Sequence, residues 1–366
     1  MSALTHHLVR KGLEVTSEHL AAPNDGDHAS PIKHIDALPL VILVLTAFAF
    51  AFGLFVINYS FGAVVATLAA IEDPQPAVYV PIDDPHADPN TKQPETALEQ
   101  SAPVTSSLRR TIRHLRASPG GYAYFRGRSL FVVLIFARSI LTGILTGGQA
   151  TKLGLFSSLA HIAVDVALAT VEMGWIHSVI SQSSGKRFWN RIPSLRTWPK
   201  IAPVVALRSV ASQISLVLPA HLALKLIVWP LSQNNSMADP EYNPAADLAK
   251  TFGISLLSIG LALLVEVPAS VTLIRVAASM LPEEDETVVP FDRSFDGKIQ
   301  PAVLGGSGKI GMLDAWKTFK WPSRIRLLKL LVKVFGLNIG LGFVFGLIFG
   351  AEIGFFGLAN KIFNGQ

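Results

Sequence analysis

Arg138, His161, Asp165, Glu172, Arg208 and Glu266 lie inside long apolar stretches, and a charge at the centre of a bilayer costs at least about 2.5–3.5 kcal/mol on insertion scales, so each calls for a purpose. Ser157, His161, Asp165 and Glu172 fall within one narrow stripe at 100° per residue, which gives one helix a wet or paired face. Arg138 has Thr142 a turn away. Arg208 shares a side with Ser212, Ser215 and Pro219, and both arginines are followed by serine. Two roles fit this pattern. In the first, Arg138 and Arg208 attract an anionic solute into a polar cavity that His161 also lines, while Asp165, Glu172 or Glu266 balance charge or relay protons. In the second, Arg138 pairs with Asp165, and Arg208 with Glu172 or Glu266, to hold the helices together.

Other chemistry finds little support. The chain has no cysteine, which excludes a disulfide framework, a thiolate metal site and a thiol nucleophile. His161 and Asp165 at a spacing of four are the nearest thing to a metal pair, and two ligands do not make a metal site. The glycine-rich stretch at 305–309 lacks the spacing and the strand–helix setting of a phosphate loop and reads as a flexible turn. No catalytic residue or cofactor is expected, and the chain does not read as an enzyme.

The elements that position these residues follow from composition. Half the residues are apolar and 16% are charged, with a mean hydropathy of +0.43, the balance of an integral membrane protein. A span needs about 20 apolar residues because lipid offers no partner to an open backbone group. That rule predicts six helices, near 37–71, 129–147, 153–180, 201–231, 252–281 and 331–358. The first is long for one crossing, so a tilted or kinked helix is expected, with a hairpin folded at residues 58–60 as the competing reading.

The connections alternate in charge. Before the second, fourth and sixth spans lie segments rich in arginine and lysine: Arg109, Arg110, Arg113, Arg116, Arg126 and Arg128; Lys186, Arg187, Arg191, Arg196 and Lys200; and Lys317, Lys320, Arg324, Arg326, Lys329 and Lys333. Six spans place all three on one face of the membrane, beside anionic lipid headgroups. The Trp and Tyr residues among them read as interfacial anchors, so nucleic acid is not an expected partner. The chain then divides into a polar N-terminal tail, 1–36, and a first helix pair, 37–147, with a disordered Pro/Asp-rich insertion at 73–104. A second pair follows at 148–231 and a third at 252–358, the latter with a long, at most partly ordered connection at 282–315; residues 359–366 form a C-terminal tail. Lys225, His177 and Arg275 fall near span ends, where snorkelling accounts for them. In the sixth span Gly336, Gly340, Gly342, Gly346, Gly350 and Gly354 include pairs four apart, a spacing that serves close helix packing or self-association.

Three pairs, each an odd helix, a basic segment and an even helix, amount to an internal repeat of about 100 residues. Gly120 is followed five residues later by Phe125-Arg126-Gly127, and Pro268 stands seven residues before Arg275. In these features the chain resembles the mitochondrial carrier family. The resemblance implies an all-α integral membrane bundle of six helices in three pseudo-repeated pairs, transport by alternating access, and a mitochondrial membrane; an endomembrane or the plasma membrane is the alternative. The chain departs from the pattern at Ser270 and Leu273, where the family has an acid and a base, and the first two units lack the proline and charge pair. The expected function is therefore a carrier-like transporter of a small solute, of anionic type by the charge of Arg138 and Arg208. The alternative is a carrier-derived adaptor that binds a protein partner through 73–104, or anionic lipid. The Asn234-Asn235-Ser236 sequon would mark a lumenal loop in a secretory membrane.

Overall fold

The computed structural model describes residues 37–73, 103–117, 125–148, 154–182, 187–229, 243–299, 306 and 308–363. The tail 1–36, Gly120, most of the 73–104 insertion, the sequon at 234–236 and the last three residues of the C-terminal tail lie outside them. Most of what is described is helical. Helix α1 runs Ala37–Ile57, passes through a π-helical turn at Asn58–Val65 and ends as Ala66–Ile71. Then come α2, Leu108–Ala117; α3, Arg128–Leu145; α4, Leu155–Ala167; α5, Ala169–Ile180; and α6, Trp198–Ala223, extended by a π-turn at Leu224–Val228. Helix α7 comprises Pro244–Leu261, a π-turn at Ala262–Glu266 and Val267–Ser279; α8 is Met312–Lys317 and α9 is Trp321–Phe363.

Among the described residues five helical stretches are long and apolar enough to cross a bilayer: Pro39–Ile71, Arg128–Leu145, Trp189–Val228, Pro244–Ser279 and Trp321–Phe356. The pair α4 and α5 is bent by 61° at Leu168 and makes a sixth if it is one broken span. The chain is thus an all-α integral membrane protein. Several sequence-based bounds shift. Helix α1 continues through residues 58–60 as a π-turn, so no hairpin forms there. The fifth span starts at Pro244, where Asn243 accepts from the amides of Ala245 and Ala246 and so caps the helix. The sixth begins at Trp321, ten residues before its apolar core.

Residues 50–345 form one compact unit, and a smaller one is made of the start of α1, to Ala49, and the end of α9, from Gly346. In the smaller unit the Thr46 hydroxyl donates to Glu352 Oε1 at 2.6 Å. In the larger unit the buried core gathers at one end of the spans. Ile71, Leu115, Met173, Ile180, Ile201, Val276, Ala315, Phe319 and Leu327 belong to one cluster. They come from the ends of the odd spans, the starts of the even spans and the basic segments between them, which places those segments together. Physics explains the location. Only outside the hydrocarbon does burial remove water from apolar surface; within it, lipid is as apolar as leucine. At membrane depth large side chains such as Ile144, Leu264 and Phe343 are accordingly exposed, 70%, 79% and 68%, as a lipid-facing surface requires.

The 282–299 stretch is a folded cap, where composition suggested a loosely ordered connection. Gln182 N donates to Glu286 O, Val288 N to Ile180 O, and Asp73 N to Pro290 O. His114 Nε2 lies 2.8 Å from Val288 O, and Val288, Val289 and Phe295 are buried in the core. The segment thereby ties the ends of α1, α2 and α5 together.

Candidate functional site: a charge quartet across a broken span

Arg138 stands ten residues into α3 and Arg208 ten residues into α6, about 15 Å along each helix at 1.5 Å per residue, which is close to the bilayer midplane. Both point at the broken span. Arg138 Nη2 donates to Glu172 Oε2 at 2.8 Å, and its Nε lies 2.7 Å from Asp165 Oδ1 without the alignment of a hydrogen bond. Arg208 Nη1 approaches the same two acids less closely, 3.4 Å from Glu172 Oε1 and 3.7 Å from Asp165 Oδ2. Ser209 Oγ donates to Asp165 Oδ2 at 2.7 Å. Two guanidiniums therefore share two carboxylates, and the group sums to zero charge. Neutrality is what makes it tolerable at this depth, since an unpaired charge there is far more costly than a paired one.

The two carboxylates sit on opposite sides of the bend: Asp165 belongs to α4 and Glu172 to α5. Each arginine holds both halves. At the break, carbonyls lose their helical donors, and one is recovered from outside the helix, because the Trp198 indole donates to Val166 O at 2.8 Å. The arginine side chains are 25% and 24% exposed, while Glu172 is 5% exposed. The acids form the inner side of the cluster and the guanidiniums its open side.

The other residues singled out by sequence fall elsewhere. His161 turns to its own helix, with Nδ1 2.8 Å from Ser157 O. Glu266, at the end of the α7 π-turn, stands apart from both arginines and meets Ser212 Oγ at 3.4 Å. His177 and Arg275 do not snorkel, because both lie in the buried core. His177 Nε2 is 2.8 Å from Ala277 O. Arg275 donates to Ala315 O, Ala70 O and Thr318 Oγ1 and stacks over Phe295 and Phe319. Pro268, seven residues earlier, is the second residue past the π-turn. Lys225 stays in the exposed π-turn of α6.

Phe125-Arg126-Gly127 closes the start of α3. The Tyr59 hydroxyl donates to Arg126 O, Arg126 Nη2 donates to Ser181 O, and Phe125 stacks on Tyr59. Burial, then the neighbouring Arg191, pulls the Arg126 guanidinium below its ordinary value. Gly127 has φ +72°, and a Cβ there would lie 2.4 Å from Ser178 Oγ. The glycines of α9 behave differently: a Cβ at Gly336, Gly340, Gly342, Gly346, Gly350 or Gly354 would meet nothing within 4 Å. The close approach their spacing suggested is not made at these positions. It is made from the facing side, at Gly53, 3.1 Å from Leu341.

A further polar group went unread in the sequence. Glu72 is buried and accepts from Thr105 N at 2.9 Å, from Thr105 Oγ1 and from Val104 N. Arg326 donates to its backbone carbonyl at 2.8 Å. It stands at the first charge after an apolar run, where span ends and surface are hard to tell apart. Among the described residues no group of three or more His, Asp or Glu side chains is arranged to hold a metal ion. Comparison of the chain with protein-family models, curated proteins and solved structures gives no match.

Proposed function

We propose that the chain is a carrier-like membrane transporter of a small polar solute, working by alternating access, and that the quartet is its solute-responsive element. The observation that carries this reading is the placement of Asp165 and Glu172 on either side of a 61° bend, with the same two arginines bound to both. An anionic group of a solute competes with Asp165 or Glu172 for a guanidinium. Displacing either acid releases one half of the broken span from the other, so occupancy and bend angle become linked through differential binding. Breaks in neighbouring helices, the π-turns at Asn58–Val65, Leu224–Val228 and Ala262–Glu266, supply the local give that such a motion needs. The capped end, with the basic segments, is the closed side in this conformation. The resemblance to the mitochondrial carrier family, carried by Phe125-Arg126-Gly127 and by Pro268 with Arg275, supports this reading, and a mitochondrial membrane is the location proposed with it.

The cysteine-free chain makes the test direct. A cysteine introduced at Ser212 should react with small charged thiol reagents from the face opposite the basic segments. Adding Phe295→Ala, which opens the cap, should admit the reagent from the basic face as well. Protection from both faces in both variants would overturn the reading.

A further inference from the structure

The quartet uses both arginines and two acids, and Glu266 is left over. Among the described residues its only polar contact is Ser212 Oγ at 3.4 Å, and a carboxylate at membrane depth needs a counter-charge. The π-turn of α7 packs on α6, and Ser215 lies three residues beyond Ser212 on the same face of α6. Ser215 is 6% exposed and its hydroxyl has no partner. Pro219, inside α6, brings no N–H to the carbonyl of Ser215, on the face that Ser212 shares.

We infer that Glu266 is the anionic ligand of a binding site for a monovalent cationic centre, completed by the hydroxyls of Ser212 and Ser215 and by the Ser215 carbonyl that Pro219 leaves uncapped. Alkali cations and protonated primary amines share this chemistry, because both are held by carboxylate, hydroxyl and carbonyl oxygen. Interrupted helices hold cations in membranes by the same means. The charge sets the valence: one carboxylate neutralises one positive charge, whereas a divalent ion would leave a surplus at a depth where surplus charge is costly. The site does not depend on transport, since it rests on Glu266, Ser212, Ser215 and Pro219 and uses no member of the quartet.

The experiment is equilibrium binding read by thermal unfolding of the purified full-length protein in neutral-lipid nanodiscs, at fixed ionic strength. Sodium, potassium and methylammonium chlorides are each titrated against choline chloride, whose quaternary centre has no N–H and is too bulky to coordinate. A saturable rise in midpoint with sodium or potassium assigns the site to an alkali ion; a rise with methylammonium alone assigns it to the amine of a solute. Glu266→Gln should abolish the response. Glu266→Asp, which keeps the charge, and Ser215→Ala should each weaken apparent affinity about tenfold. The inference is overturned if the wild type responds equally to all four salts, or if Glu266→Gln responds as the wild type does. Failure of the thiol-access test would leave this result untouched, and loss of the cation response would leave the transport reading standing.

Discussion

At the scale of single residues, the charges inside the spans were legible because lipid makes any ionisable group conspicuous. Their partners were only half legible. Helical periodicity put Asp165 and Glu172 on one stripe, but a one-to-one pairing of Arg138 with Asp165 and of Arg208 with Glu172 or Glu266 is not what forms; each guanidinium touches both Asp165 and Glu172. Sequence spacing carries no information on how two forked cations divide two forked anions. Gly127 shows the reverse case, where a short motif marked a backbone demand. Its φ of +72° and the 2.4 Å approach to Ser178 Oγ admit no side chain without strain. Gly127→Ala should therefore destabilise the folded protein by about 1–2 kcal/mol from the left-handed backbone alone, and by more if Ser178 fails to move. Denaturant unfolding in detergent, with Gly143→Ala as the control where a Cβ meets nothing within 4 Å, checks it.

At the scale of elements, the spans and basic segments were readable from apolar length and charge, while the bend between α4 and α5 was not. Neither Leu168 nor Ala169 is a helix breaker. The break is held by contacts distant in sequence, the Trp198 indole on Val166 O and the arginines on both sides. The cap at 282–299 was missed for a related reason. Its composition is acidic and proline-containing, and a few apolar side chains among them, Val288, Val289 and Phe295, dock it. Within the cap, Asp292 accepts from Asp296 N, Ser294 Oγ and Ser294 N. Burial alone would raise its carboxyl; these hydrogen bonds and Lys320 outweigh that and hold it below the ordinary carboxylate value. A lowered folded-state value means the carboxylate stabilises the cap above the unfolded value and loses that contribution as pH falls through the folded one. Asp292→Asn should therefore be less stable than wild type at neutral pH, with the difference shrinking below about pH 4. Amide exchange at residues 286–296 against pH measures it, and a pH-independent difference would contradict the assignment.

At the scale of the whole molecule, the alternation of basic and acidic connections implied a common face, and the core agrees, since Leu115, Ile201 and Phe319, from α2, α6 and the α8–α9 connection, pack in one cluster. Protease sites placed after Ala117 and at Arg196 should therefore be cut from the same side of sealed vesicles, and a site at 234–236 from the other. Cleavage of the first two from opposite sides would dismantle the arrangement. The quartet also bears on how the chain enters its membrane. Helices α3, α4 and α5 carry Arg138, Asp165 and Glu172, a net charge of −1, and Arg208 follows only with α6. A nascent chain halted before α6 would hold an unneutralised acid in the hydrocarbon, so lateral release from the insertion machinery favours α3 through α6 leaving as one cohort.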